Sequence, residues 1–429
     1  MSVLWLERSI AMAYALIGPV IWVGFLFGMI KGRRRLSLLS RPLWDLPDRP
    51  PRASVLVPIK DEAHQLRACM ASVLAVDYPD LQIIAIDDRS TDGTGKILDE
   101  LAAQHSRLQV IHIRPGDLPA GWVGKPHALH VGMQHASGEW LLFVDSDMQL
   151  APDSLRATIG LAEIRRFDLI SLLPRLENQT FWERLIVPLG AAATSAMFLL
   201  PMTNYNELPN IAFANGQFML IRRRAYDAIG GHASVRGLFS EDIGIAKALK
   251  RAGFRPRLAI GSEFASTRMY NSLRAVLAGW SRNFFGGSGR APWKMLAGIF
   301  FVLACSLSAF AAIAWGIYRA RNPITELGGE GWIAIGIVHW IIMTFTLAVN
   351  YAWTGNPKRY ALLFPLGAIM LIGIWLRALW MCVTRRVEWR GTQYAPQSSA
   401  PRAPVILSEA KDLGPGEALP SRDPSLRSG

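Results

Sequence analysis

Hydrophobic and polar positions divide the chain into stretches of three kinds. Ser9–Ile30 is an uncharged run of 22 residues, and Met295–Tyr318 is one of 24. At about 1.5 Å per helical residue, either can cross a hydrocarbon core of about 30 Å. Trp332–Trp353 is a third run, with His339 as its one titratable group of the usual kind. Ala361–Leu376 is a weaker fourth, broken by Arg377 and followed by an apolar stub to Val383. From Arg52 to about Gly261 the pattern instead alternates short β-rich runs with helical ones. Ala53–Pro58, Leu81–Asp87, Gln109–Ile113 and Trp140–Asp145 read as strands, Glu62–Val76 and Thr94–His105 as helices. That alternation predicts an α/β, Rossmann-like domain: a mostly parallel sheet with helices on both faces and its ligand outside the carboxyl ends of the strands. After Tyr394 no apolar period remains, and the Pro-, Ser-, Ala- and Gly-rich stretch to Gly429 reads as a disordered tail.

Charge orients the apolar runs. Lys31, Arg33, Arg34 and Arg35 follow the first run at once, which predicts an outer N-terminus and a cytoplasmic α/β domain. A cleaved signal peptide is the other reading. The run is long for one, and the basic cluster follows it instead of preceding it. Four spans put the C-terminus outside, yet Arg385, Arg386 and Arg390 favour the cytoplasm. Either Arg377 snorkels and the charge rule is broken, or the fourth run is re-entrant or interfacial. Four spans are the preferred expectation.

Composition excludes several classes. Hydrophobic residues are 51% and charged ones 18%, so the chain is neither disordered nor a small disulfide scaffold. Cys69, Cys305 and Cys382 form no CxxC or His/Cys cluster, so no structural zinc or disulfide framework is expected. The net charge of +13 suits nucleic acid or an anionic membrane surface. The apolar runs select the membrane and leave no nucleic-acid partner.

Candidate chemistry gathers at the predicted strand ends. Val57–Glu62 turns from a strand into a helix and carries Asp61 and Glu62. Ile86–Thr94 ends a strand in Asp87 and Asp88, then holds Ser90, Thr91 and Asp92, each a candidate helix N-cap. Asp88 could accept hydrogen bonds from a base or ribose. Asp145-Ser146-Asp147 ends an apolar strand, and two carboxylates at i and i+2 can both approach one divalent cation, magnesium or manganese. Such a cation would neutralise a diphosphate leaving group. Gly124-Lys125 places an ammonium after a glycine-containing turn, where it either contacts a phosphate or is simply solvated, and the stretch is not a P-loop. His127 reads as structural. Glu241 and Asp242 precede an amphipathic helix marked by Ile245 and Leu249. They serve either as a helix-dipole complement or as a general base, and neighbouring carboxylates raise one pKa.

The ordered set of Val57–Glu62, Asp87–Thr94, Gly124-Lys125, Asp145-Ser146-Asp147 and Glu241-Asp242 resembles family 2 glycosyltransferases of the GT-A fold, over about residues 52–290. Gly230-Gly231-His232, Ser240-Glu241-Asp242, Arg268-Met269-Tyr270, Gly279–Asn283 and the stretch from Trp389 to Tyr394 are similar to bacterial carotenoid- and ceramide-type lipid glycosyltransferases. The resemblance implies a nucleotide sugar as donor, most often a uridine one, with UDP-glucose the default. It places Asp61 or Glu62 and Asp88 at the nucleoside and Lys125 near the diphosphate. It gives Asp145 to nucleotide and metal, and Asp147 to the metal. Asp242 becomes the base of an inverting single displacement, supported by Glu241. The Gln-x-x-Arg-Trp of processive synthases is lacking. Gly279-Trp280-Ser281-Arg282 stands there instead, with Trp280 and Arg282 as acceptor-side or product-side candidates.

Two segments look built for a lipid. Tyr270, Leu273, Leu277, Trp280 and Phe284 recur at three or four residues, near Arg268, Arg274, Arg282 and Arg290. That pattern reads as an interfacial helix on an anionic leaflet or as a core helix. Phe181–Leu200 is equally apolar but contains Glu183, Arg184 and Pro188, and reads as an interfacial or acceptor-side segment. The expected organisation is an anchor at 1–35, a catalytic domain at 52–262, an amphipathic segment at 263–290, about three spans within 291–384, and the tail at 395–429. The expected protein is a multi-pass enzyme of the bacterial inner membrane that moves one sugar onto a lipid hydroxyl at the cytoplasmic face. Its rivals are a processive polysaccharide synthase, a nucleotidyltransferase and a non-catalytic membrane protein that keeps the fold.

Overall fold

The structure is a computed structural model that describes residues 2–40, 44–288, 291–322, 329–384, 387–389 and 392–394. The tail lies outside these, as do Arg290, Arg385, Arg386 and Arg390. A long helix, α1 (Ser2–Leu36), precedes the α/β unit. That unit runs β1 (Ala53–Ile59), α2 (Leu66–Leu74), β2 (Leu81–Asp88), α3 (Thr94–Gln104), β3 (Leu108–Ile113), α4 (Gly124–Met133), β4 (Trp140–Val144), β5 (Met148–Leu150) and α5 (Ser154–Arg165). It continues through β6 (Leu169–Leu173), β7 (Arg175–Leu176), α6 (Phe181–Met197), β8 (Phe218–Arg222), α7 (Arg223–Ala228), α8 (Glu241–Arg251), β9 (Pro256–Ile260) and β10 (Ala265–Thr267). Five helices follow: α9 (Leu273–Gly287), α10 (Pro292–Val302), α11 (Ser308–Arg321), α12 (Gly329–Trp353) and α13 (Phe364–Thr384). Two short strands, β11 (Val387–Trp389) and β12 (Thr392–Tyr394), close the described chain.

The main sheet has the order β3-β2-β1-β4-β8-β6-β9. Strand β8 runs antiparallel to both neighbours, β4 and β6, and every other pairing is parallel. Strands buried on both faces read as nearly continuous apolar runs, and alternate residues serve opposite layers. Val55, Val57, Ile83 and Ala85 pack with Leu66, Met70 and Val73 of α2. Leu56, Ile84 and Ile86 face the other way, into Ala128 and Leu129 of α4 and Ile245 and Leu249 of α8. This is the Rossmann-like GT-A arrangement anticipated from the sequence.

Local departures have local causes. The helix expected from Glu62 begins only at Leu66. Asp61 takes a left-handed φ of 50° at the strand end, and Glu62 turns inward to 2% exposure. Helix α3 is capped by Gly93 at φ 83°, not by Ser90, Thr91 or Asp92. Asp92 instead accepts from the Thr94 amide and hydroxyl at 3.1 and 2.6 Å. Glu241 and Asp242 do not precede their helix; they form the first turn of α8.

Among the described residues, four helical segments are long and apolar enough to cross a membrane: Trp5–Leu36, Pro292–Arg321, Gly329–Trp353 and Lys358–Thr384. A π-helical turn at Leu303–Leu307 joins α10 to α11. It leaves the Cys305 carbonyl to accept from Trp22 Nε1 at 2.5 Å, with His339 Nε2 at 3.1 Å. At the far end Glu7 receives the Arg319 guanidinium bidentately at 3.0 and 3.1 Å. Helix α13 behaves differently. Arg377 does not break it and is exposed on its surface. Gly367 meets Leu185 and Leu189 of α6, the Ile374 carbonyl accepts from Ser281 of α9 at 3.2 Å, and Met381 clusters with Phe285 and Phe239. It therefore packs on α6 and α9 and also on α10, where Gly298 meets the Trp375 ring. Helix α9 buries Val276, Trp280, Ser281, Phe284 and Phe285, and Tyr270, Leu273 and Leu277 of the expected stripe pack half-buried against the same cluster.

Candidate active site

A cavity of about 860 Å³ opens beyond the carboxyl ends of the central strands. Its polar end is made by Lys125 from α4, Asp145 and Asp147 after β4, and Glu241 and Asp242 from α8. The Lys125 ammonium lies 2.7 Å from Asp145 Oδ1 and 2.8 Å from Glu241 Oε1. Burial works against its charge, but Asp145, Glu241 and Asp242 outweigh that and hold its pKa above the usual lysine value. Asp242 is pushed the other way. Burial comes first and the Glu241 charge second, and together they raise its carboxyl well above the ordinary range, while Lys125 and two backbone amides offset part of the rise.

One contributor escapes the sequence reading. The Gly216 amide donates to Asp242 Oδ2 at 2.7 Å. A Cβ at Gly216 would stand 2.9 Å from Lys125 Nζ and 3.1 Å from Asp242 Oδ2, so a side chain there would displace the ammonium and the carboxylate from these positions. The signal was the turn dipeptide Asn215-Gly216 between apolar runs. Asn215 fixes that turn by donating to the Leu172 carbonyl at 3.2 Å and to Gln217 at 3.1 Å.

The expected nucleoside residues sit at the same sheet edge but do not line this cavity. Asp88 receives Arg89 bidentately at 2.7 and 2.9 Å. Asp61 accepts from the Thr91 amide at 2.7 Å. Glu62 accepts from Gln65 Nε2 at 2.5 Å and from Ser146 Oγ at 3.4 Å, which ties the end of β1 to the residue between Asp145 and Asp147. His127 is buried beside the edge of Trp122, with its pKa lowered first by burial. His232, buried against Phe143 and bonded to Tyr226, is held down to about 3, again first by burial. Both suit packing roles.

The other end of the cavity is apolar and comes from the helices. Phe25 and Met29 of α1, Ala191, Ala192 and Ser195 of α6, and Trp353 of α12 line it. Trp280 and Arg282 of α9 line it as well, so both meet the Asp242 chamber. Trp280 is 5% exposed, and its Nε1 has no hydrogen-bond partner among the described residues. Gly190 of α6 lets the indole pack directly against that helix, since a Cβ there would lie 2.6 Å from the ring. Glu183 at the start of α6 receives Arg268 at 3.1 and 3.3 Å, which fixes α6 to the segment leading into α9.

Residues 54–230 match the family model described as Glycosyl transferase family 2. They form such a domain, and the protein is a glycosyltransferase. The chain is 22% identical over 351 residues to a 4,4'-diaponeurosporenoate glycosyltransferase of Staphylococcus aureus, covering 80% of this chain and 88% of the relative. Among solved structures it is similar to the mannosyltransferase PcManGT from Pyrobaculum calidifontis, in complex with GDP-Man and Mn2+. The TM-score there is 0.49 and the identity 17%, over 86% of this chain and 99% of that one. It is also similar to S. aureus TarS 1-349 in complex with UDP-GlcNAc, with a TM-score of 0.36 and 14% identity over 74% and 92% of the two chains.

Proposed function

We propose that the protein transfers a single sugar from a nucleotide sugar to the hydroxyl of a membrane lipid, with inversion. The observation that carries this reading is the continuity of the cavity, which joins the Asp242 carboxylate to walls contributed by α1, α6 and α12. A lipid lodged against those walls would present its hydroxyl to Asp242. The relative's name, which states glycosylation of 4,4'-diaponeurosporenoate, is in keeping with a lipid acceptor.

The proposed chemistry is one displacement. The acceptor oxygen attacks the anomeric carbon, its proton passes to Asp242, and the bond from that carbon to the diphosphate oxygen breaks. The nucleoside diphosphate leaves, and Lys125 would share its charge. Asp61, Glu62 and Asp88, at the neighbouring strand ends, would hold the nucleoside. Trp280 Nε1 and Arg282 would donate to acceptor or product oxygens.

A divalent cation fits this site in a particular way. Among the described residues no three His, Cys, Asp or Glu side chains group closely enough to enclose a metal. Asp145 and Asp147 nonetheless offer hard oxygens, and magnesium commonly takes one or two carboxylates and completes its shell with substrate phosphates and water. When bound there, magnesium or manganese would neutralise charge on the diphosphate.

The proposed setting is the cytoplasmic face of the bacterial inner membrane. Helices α1, α10–α11 and α12 would cross, and α13 would return along α6 and α9 as a re-entrant segment. That arrangement leaves Arg385, Arg386 and Arg390 in the cytoplasm, as the charge rule requires. The function is tested with full-length protein in nanodiscs with manganese, labelled UDP-glucose and a total lipid extract, using Asp242→Asn as control. Label in the organic phase that the variant loses supports lipid glycosylation. Label in a water-soluble polymer would replace this reading with a polysaccharide synthase.

A further inference from the structure

A second, smaller cavity of about 390 Å³ lies at the domain end of α1, lined by Ile30, Arg33, Arg34, Ser37 and Trp353. Two of its walls come from helices far apart in sequence. The last turn of α1 supplies both guanidiniums, and the last residue of α12 supplies the indole. The Arg33 guanidinium carbon stands 5.1 Å from the centre of the Trp353 ring. Ser37 Oγ donates to the Arg33 carbonyl at 2.7 Å, which holds it in the wall of the cavity and leaves the guanidiniums as the donors an anion would meet. Among the described residues, neither Arg33 nor Arg34 pairs with a carboxylate. The cavity is thus cationic, hydroxyl-bearing and open to solvent on the arginine side, where both guanidiniums are exposed.

The surface of α1 behind this cavity is equally specific. Val20, Val23, Phe27, Ile30 and Arg34 follow one another at three or four residues and so form one stripe along the helix. Val20, Val23 and Phe27 are 58%, 36% and 60% exposed. An apolar track that ends in two unneutralised guanidiniums suits a molecule with an acyl chain and a phosphate. A free anion would use only the end of it.

We infer that the Arg33–Arg34–Ser37–Trp353 cavity binds the phosphate of an anionic phospholipid whose acyl chain lies along the Val20–Val23–Phe27 stripe of α1. The site is separate from the carboxylate cluster, although Arg33 and Trp353 also line the larger cavity. The inference rests on the membrane setting proposed above but not on the identity of the acceptor.

The test is native mass spectrometry of the detergent-extracted full-length protein with dioleoylphosphatidylglycerol or dioleoylphosphatidylcholine at equal concentration. The wild type should retain phosphatidylglycerol adducts in preference to phosphatidylcholine. Arg34→Gln should lower that preference about fivefold, the factor expected for one basic residue near an anionic surface. Ser37→Asp places a carboxylate in the lining of the same cavity at an exposed position and should lower it at least as far. Should Arg34→Gln fail to fold, Ser37→Asp alone decides. Unchanged preference in the folded variants overturns the site. Displacement of the lipid by millimolar inorganic phosphate, with phosphate itself retained as the adduct, overturns the lipid and assigns a free anion. A failure of the lipid-glycosylation reading appears separately, as absent transfer by a wild type that still holds its adduct.

Discussion

Two groups of carboxylates stand at the same edge of the sheet, and they are treated in opposite ways. At the end of β2 each acid has a partner of its own. Asp87 accepts from His112 at 2.9 Å, Asp88 from Arg89, and Asp92 from Thr94 and the Ala63 amide. Around Asp242, Asp145 and Glu241 share the Lys125 ammonium, and Asp242 lies within its field. Acids of the first kind hold loops in shape. Acids of the second kind keep charge in reserve, and a buried site that does so is poised for a proton, a cation or a substrate.

The largest effect that would break this contrast is at the proposed base. Asp242→Asn should lower transfer by about 10²–10⁴-fold while donor binding persists, measured by turnover beside nucleotide calorimetry. Retained turnover would remove Asp242 from the role. Gly216→Ala should cost about 10²-fold in kcat, because its Cβ meets the ammonium and the base at 2.9 and 3.1 Å. A variant with normal kcat would show that neither group needs its observed position. Lys125→Met should destabilise the fold by about 3–5 kcal/mol, since it strands buried carboxylates, and thermal unfolding checks this. Asp88→Asn belongs to the other group. It should raise the donor KM about tenfold and leave kcat alone, whereas a loss in kcat would place Asp88 with the reacting groups.

The pH profile sharpens the same comparison. Burial and Glu241 raise the Asp242 carboxyl, so it stays protonated to a higher pH than an aspartate of the ordinary value of about 3.9. A base must be ionised. The rate should therefore fall as pH falls through this raised value, and the acid limb should lie well above pH ~4. Glu241→Gln removes one raising cause and should move the limb down. An unmoved limb would assign it to another group.

Much of the catalytic unit was legible because its strands are short, β-rich and bounded by polar turns. Asp145, Asp147, Glu241 and Asp242 stood out for the same reason: acids at the ends of apolar runs interrupt a pattern. Glu62 was misread as a helix start because its inward turn toward Ser146 is a contact across 84 residues. Gly216 was missed because its importance lies in what passes over it, which no local pattern records. The fourth apolar run folds into a helix long and apolar enough to cross, but length says nothing of what a helix lies against. Only the tertiary structure shows α13 held between α6 and α9 on one side and α10 on the other.

The sequence by itself therefore determined the α/β sheet, the apolar helices and the acids available for chemistry, because periodicity, burial and turn formation are local properties of the chain. The tertiary structure alone decided three things. It set a single ammonium between Asp145 and Glu241, it brought Trp353 over Arg33, and it joined the polar and apolar ends into one cavity. Each depends on side chains distant in sequence meeting at a few ångströms, where desolvation and unscreened charge give them properties that none has in isolation.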